Sequence, residues 1–193
     1  MSISLAKGQT ISLAKTSTPQ LTRARMGLGW DAKQVKTGFF GRLKDQEIDL
    51  DASCLVYGAD GALLDQVWFN QLRSRGGAIQ HTGDNRTGAG DGDDESIIVD
   101  LTAISPAVKT LVFVVNSFSG ENFSQIENAF CRLIDDSSNV EAARFTLSGS
   151  GTHTAQIMAK LVRGPEGWAI TAIGERADGR TIRDLLPDVA RFV

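Results

Sequence analysis

Five acidic residues crowd into residues 83–95, GDNRTGAGDGDDE: Asp84, Asp91, Asp93, Asp94 and Glu95, among four glycines and opposed only by Arg86. A helix would set these carboxylates against one another, and glycine is a poor helix former. A strand would find no apolar side chains here to bury. The composition suits a tight loop whose glycines let the backbone fold back and aim oxygens inward. Carboxylates packed this way repel, and a hard divalent cation relieves that repulsion. The chain's formal net charge is −3 and this stretch carries −4, which leaves +1 for everything else. Asn85 and Thr87 add neutral oxygens of the kind that suit Ca²⁺. Mg²⁺ prefers few ligands in a strict octahedron, and zinc would want thiol or imidazole groups, which stand apart in this sequence. An EF-hand fits badly. With Asp84 as the first position, Arg86 and Gly88 fall where carboxylates belong, and Ala89 falls where glycine is required.

A second acidic group lies in residues 47–51, where Glu47, Asp49 and Asp51 precede an apolar run. Asp49 and Asp51 are two apart, so on a strand both leave the same face. A solvated strand face would show the same pattern. His81, two residues before the acidic loop, is the one candidate general base for a metal-assisted hydrolase, although a histidine there is more often a structural hydrogen-bonder. His153 lies in a turn rich in Gly, Ser and Thr. Cys54 and Cys131 both sit in apolar surroundings and read as buried core thiols.

The elements that must position these groups are short strands. Residues 48–57, 63–69, 96–101, 111–115, 129–134, 140–147, 154–162 and 168–173 are apolar or alternating runs, with turn compositions between them. Residues 111–115, LVFVV, suit a strand buried on both faces. The two ISLAK copies at 3–7 and 11–15 suggest a hairpin or paired edge strands, and residues 33–46 read as a loop. Trp30 reads as a core anchor. Residues 181–193 place Ile182, Leu185, Leu186 and Val189 at helical spacing, despite Pro187. The expected fold is all-β: an antiparallel β-sandwich with short peripheral helices, one domain spanning residues 1–193. In a sandwich the loops gather at two ends, so the aspartates of 49–51 and the loop 83–95 could meet. A net negative charge speaks against nucleic-acid binding. No apolar run of membrane-spanning length occurs, and the first fifteen residues do not resemble a signal peptide, so a cytoplasmic place is expected.

The strings GLGWD at 27–31, DLDASC at 49–54, HTGDNRTGAGDGDDE at 81–95 and NAFCRL at 128–133 resemble the TerD family of tellurium-resistance proteins. HTAQIMAKL at 153–161 and GRTIRDLLP at 179–187 resemble its TerZ branch. The similarity covers nearly the whole chain, apart from the tail after Gly174, which departs from the shorter glycine-rich ending of TerD-like members. It implies a calcium-binding, C2-like β-sandwich associated with resistance to tellurite and other stresses. It also implies a place in the cytoplasm alongside other ter-operon products. A membrane-associated complex at the inner face of the membrane is a further partner expectation, and no enzymatic role is expected, because no residue reads as a poised base or nucleophile. By the resemblance, one or two Ca²⁺ ions would be held by Asp49, Asp51, Asp84, Asp91, Asp93, Asp94 and Glu95, with Asn85 beside them. A calcium-dependent sensor or scaffold is the first functional expectation. Membrane docking in the manner of C2 domains is the second, and the loops read as lacking the exposed aromatic or leucine side chains it needs.

Overall fold

Alternating apolar positions produce two six-stranded sheets that face each other. The first runs β1 (Ile3–Ser4), β12 (Val140–Thr146), β11 (Ile126–Asp135), β3 (Arg23–Ala32), β9 (Glu95–Asp100) and β8 (Ile79–His81). The second runs β2 (Thr10–Ser12), β14 (Gly167–Ala177), β13 (Ala155–Gly164), β10 (Val108–Ser117), β6 (Leu50–Gly58) and β7 (Leu63–Val67). Every pairing within the two sheets is antiparallel except β1 with β12. This computed structural model describes residues 3–4, 7–12, 21–32, 34–37, 42–45, 48–85, 92–147 and 151–193. The architecture is the expected antiparallel β-sandwich.

The period of two sorts the central strands into two layers of core. Cys54 and Val56 of β6, with Leu111, Phe113 and Val115 of β10, face inward between the sheets. Their neighbours Leu55, Tyr57, Val112 and Val114 point to the outer face and form a second cluster with Ile182, Leu185 and Val189. That is why LVFVV is apolar throughout: the C-terminal tail covers the face that would otherwise meet water. The tail's helix α1 (Leu186–Val189) is short and carries Pro187 in its first turn, where its missing N–H costs nothing. A 3₁₀ turn, Ala190–Phe192, follows it. Leu185 is fully buried, so Leu185→Ala is expected to destabilise the protein by about 2–4 kcal/mol. A lowered urea midpoint at unchanged m-value would show it.

Two local expectations are corrected. The described residues of the two ISLAK copies do not pair with each other. Ile3 and Ser4 lie against Ala143 and Arg144, whereas Thr10 to Ser12 pair with β14, so the connection at Gly8 carries the chain from one sheet edge to the other. The stretch read as a loop at 33–46 contains an antiparallel pair, β4 (Gln34–Thr37) with β5 (Arg42–Asp45). Its lysines and glycines concealed a pairing that depends on the partner strand and not on side-chain alternation. Trp30 is a core anchor as expected: it is buried, and its indole N–H donates to the Ile48 carbonyl at 3.0 Å. Cys54 and Cys131 are buried free thiols whose burial pushes their pKa values upward.

Candidate metal centre

The N-terminal end of β6, the C-terminal end of β10, the end of β8 and the start of β9 come together at one end of the sandwich. Register sets the aspartates: Asp51 pairs with Asn116 and Leu50 with Ser117. Asp49 is fixed just outside the strand, its N–H donating to Ser119 Oγ and its carbonyl accepting from Phe118 N–H at 3.0 Å. Asp84 arrives from the other sheet, three residues beyond the end of β8. Carboxylate oxygens of Asp49, Asp51 and Asp84 lie within 4.8 Å of one another. Asp51 is only 2 % exposed, Asp49 half-buried and Asp84 exposed.

The electrostatics are unfavourable to three negative charges. Burial, then the carboxylates of Glu95, Asp49 and Asp84, push the Asp51 pKa up to about 8, while a hydrogen bond from Asn116 works the other way. Asn116 is completely buried at the end of the apolar run in β10. Its Nδ2 donates to Asp51 Oδ2 at 3.1 Å and to the Arg180 carbonyl at 2.8 Å. With both N–H groups so committed, Oδ1 finds no hydrogen-bond donor among the described residues. A buried carbonyl oxygen with no donor is unfavourable in a finished core and suits a cation ligand. The converging donors are therefore carboxylate oxygens only, with the Asn116 amide held against Asp51, the chemistry preferred by Ca²⁺. Asn116 was missed in the sequence. The signal available was a lone polar residue at the end of LVFVV, whose register against Asp51 only pairing reveals.

The remaining acids of the loop do other work. Glu95 is buried at the start of β9 and ties the two sheets together, accepting from Ala52 N–H at 2.7 Å and from Asn85 N–H at 3.1 Å. Asp94 accepts from Trp30 N–H at 3.0 Å and from the Asn85 side chain at 3.1 Å. Burial, with Asp31, Asp93 and Glu95 nearby, raises its pKa despite the Trp30 N–H. Asp93 is clamped between two guanidiniums, Arg25 at 2.8 Å and Arg132 at 2.6 Å. Its charge is already balanced within the fold. Among the expected ligands, then, Asp49, Asp51 and Asp84 converge, while Asn85, Asp93, Asp94 and Glu95 are engaged in holding the loop against β3 and β6. Asp91, with Thr87 and Glu47, lies outside the described residues.

His81 is fully used. Its Nδ1 accepts from Gly83 N–H at 3.0 Å, which leaves Nε2 as the protonated nitrogen facing the Ala52 carbonyl at 3.2 Å and Glu95 at 3.3 Å. Buried between two strand ends, it fixes the approach to Asp84 and has no open side toward a substrate. His153 is also buried, near Gln156 and against the Phe123 ring.

The loops at this end do carry exposed apolar side chains, contrary to the sequence reading. Phe118 is 43 % exposed and Leu72 is 44 % exposed. Both follow polar or turn-forming residues, and pairing alone shows that they stand beside Asp49 and His81.

Two antiparallel sheets with a carboxylate cluster held between strand ends define a β-sandwich protein with an acidic end-loop site. The chain belongs to the TerD family, whose TerD domain profile matches residues 1–188. Tellurium resistance protein TerZ of Serratia marcescens is 44 % identical to it over 99 % of this chain and 98 % of the relative. Stress response protein SCP2 of Bacillus subtilis is 38 % identical over the full length of both. The crystal structure of a homologue of telluride resistance protein (TerD) from Streptomyces coelicolor superposes with a TM-score of 0.72 at 20 % identity. That match covers 88 % of this chain and 98 % of the other, and shows the shared fold. No helix among the described residues is long and apolar enough to cross a membrane.

Proposed function

We propose that this tellurium-resistance and stress-family protein binds Ca²⁺ through Asp49, Asp51, Asp84 and Asn116, and acts without catalysis as a calcium-dependent sensor or scaffold. The observation that carries the reading is the meeting of three carboxylates beside a buried amide oxygen that lacks a donor. Each of these groups is unfavourable alone, and one divalent cation relieves all of them. Tellurite is an anion and is repelled by the cluster, so the reading concerns a cation that controls the protein and not the oxyanion itself. His81 has no free face for proton transfer, which supports a binding role over hydrolysis. Other ter-operon products in the cytoplasm are the proposed partners of the loaded form.

Calorimetric titration of chelator-stripped protein with Ca²⁺, with a thermal melt alongside, tests this. Heat of binding and a raised melting temperature are expected, because a ligand that binds only the folded form stabilises it. Asp49→Asn with Asp84→Asn should lose both. Absence of heat in the wild type, or full binding in the double variant, would overturn the proposal.

A further inference from the structure

The end of the sandwich that holds the carboxylate cluster also carries an apolar rim, with exposed guanidiniums around it. Phe118 is anchored next to Asp49 by its own backbone hydrogen bond, yet its ring is 43 % exposed. It packs edge-on to Phe69 at 5.6 Å between centroids, and Phe69 in turn packs on Trp68 at 4.8 Å. Leu72, on the same connection as Phe69, is exposed as well. Its carbonyl accepts from His81 N–H, which places it at the strand end that delivers Asp84. Phe118 and Leu72 thus put an aromatic ring and a leucine side chain into solvent beside the carboxylate cluster.

Three arginines frame this rim. Arg180 donates to the carbonyls of Phe118 and Ser119. Arg183 lies over the Trp68 ring at 5.9 Å, and Arg73 follows Leu72. All three are exposed, and no described carboxylate pairs with any of them. A chain of net charge −3 thus places three guanidiniums without a described carboxylate partner where its apolar tips are. One oxygen from each of Asp49, Asp51, Asp84 and Asn116 also falls short of the six to eight that Ca²⁺ takes.

Resting on the calcium reading above, we infer that this end docks onto an anionic phospholipid bilayer: phosphate oxygens complete the calcium shell, Arg73, Arg180 and Arg183 face headgroups, and Phe118 with Leu72 enters the acyl boundary. Charge complementarity selects this occupant. A divalent cation cuts the charge of the three ligand carboxylates to −1, so the repulsion of an anionic surface weakens and the three arginines prevail, and docking follows calcium. A protein partner would call for a drier, flatter patch, whereas here single apolar tips stand among guanidiniums, the pattern of an interfacial anchor.

Sedimentation of the full chain with vesicles tests the inference, using phosphatidylcholine alone or with phosphatidylglycerol, each with calcium or with chelator. Binding is expected only with phosphatidylglycerol and calcium together. Phe118→Ala should weaken partitioning about tenfold, from the lost apolar burial, while leaving the calorimetric calcium affinity unchanged. Arg73→Gln and Arg183→Gln should each weaken it about fivefold. Calcium binding without sedimentation, sedimentation that persists in chelator, or an undiminished Phe118→Ala variant would each overturn docking and leave the calcium reading standing. Absence of calcium binding itself would bring down both.

Discussion

Asp51→Asn is expected to stabilise the metal-free protein at pH 8 and, in the same molecule, to abolish stabilisation by calcium. Asp51 is buried, and its pKa is driven up to about 8, first by burial and then by Glu95, Asp49 and Asp84. Below the ordinary value of 3.8 both the folded and the unfolded chains hold the proton, and nothing is lost. Between 3.8 and about 8 the unfolded chain releases it while the folded chain keeps it, so stability falls steadily as pH rises. Above that window the loss is complete. Its total is on the order of 2–5 kcal/mol, or about 5–15 °C in melting temperature for a chain of this size. An asparagine carries no charge to desolvate, so the variant's melting temperature should be nearly flat over this range apart from other groups. The calcium affinity of the variant should drop by about a hundredfold or more, since a carboxylate at the centre of the cluster has gone.

The same shift predicts that calcium displaces a proton. With a pKa of about 8, Asp51 is mostly protonated at pH 7, and a cation ligand must be ionised. Titrations at pH 7 in buffers of different ionisation enthalpy should therefore report about one proton released per ion bound, and none at pH 9. A buffer-independent heat at pH 7 would mean that Asp51 is already ionised or is not a ligand.

How much of this was legible in the sequence follows from the range of each interaction. The sandwich was readable because strand alternation and turn composition are local, and LVFVV announced a strand buried on both faces. The meeting of Asp49 and Asp51 with Asp84 was readable as a possibility, since two aspartates at a strand spacing and a loop at a neighbouring strand end share one end of a sandwich. The division of labour among the acids was not. Asp93 reads like its neighbours until the fold sets Arg25 and Arg132, from two different strands, against it. Asn116 becomes a ligand candidate only through its register with Asp51. The exposure of Phe118 depends on what covers it, a property of tertiary structure alone. The paired strands at 34–37 and 42–45 failed to show for the same reason that short polar edge pairs often do: their hydrogen bonds are made by backbone, which carries no sequence signal.

Gly27→Ala should destabilise the protein by about 3 kcal/mol or more whether or not calcium is present, the second large effect the structure predicts. In the GLGWD run, Gly27 and Gly29 leave two gaps on one face of β3, and the returning acidic loop lies in them. A Cβ at Gly27 would stand 2.3 Å from the Asp93 carboxylate, and one at Gly29 would stand 2.4 Å from the Gly92 carbonyl oxygen. Gly92 itself has φ of +103°, a backbone state that other residues rarely adopt, so the loop has little freedom to move aside. Between the gaps, Asp94 N–H donates to the Leu28 carbonyl at 2.8 Å, and Trp30 N–H donates to the Asp94 side chain. Displacing Asp93 would take the shared carboxylate from both guanidiniums, leaving Arg25 with Asp136 and Asn139 and Arg132 with Glu141 alone. Asp93→Ala should destabilise by about 1–3 kcal/mol, from the two lost charge-assisted hydrogen bonds, while Asp84→Asn, at an exposed position, should leave metal-free stability within about 0.5 kcal/mol. Urea unfolding of the three variants in chelator separates the two kinds of acid in one experiment. Equal and small effects from all three would mean that Asp93 belongs with the cation ligands and not with the frame that holds them.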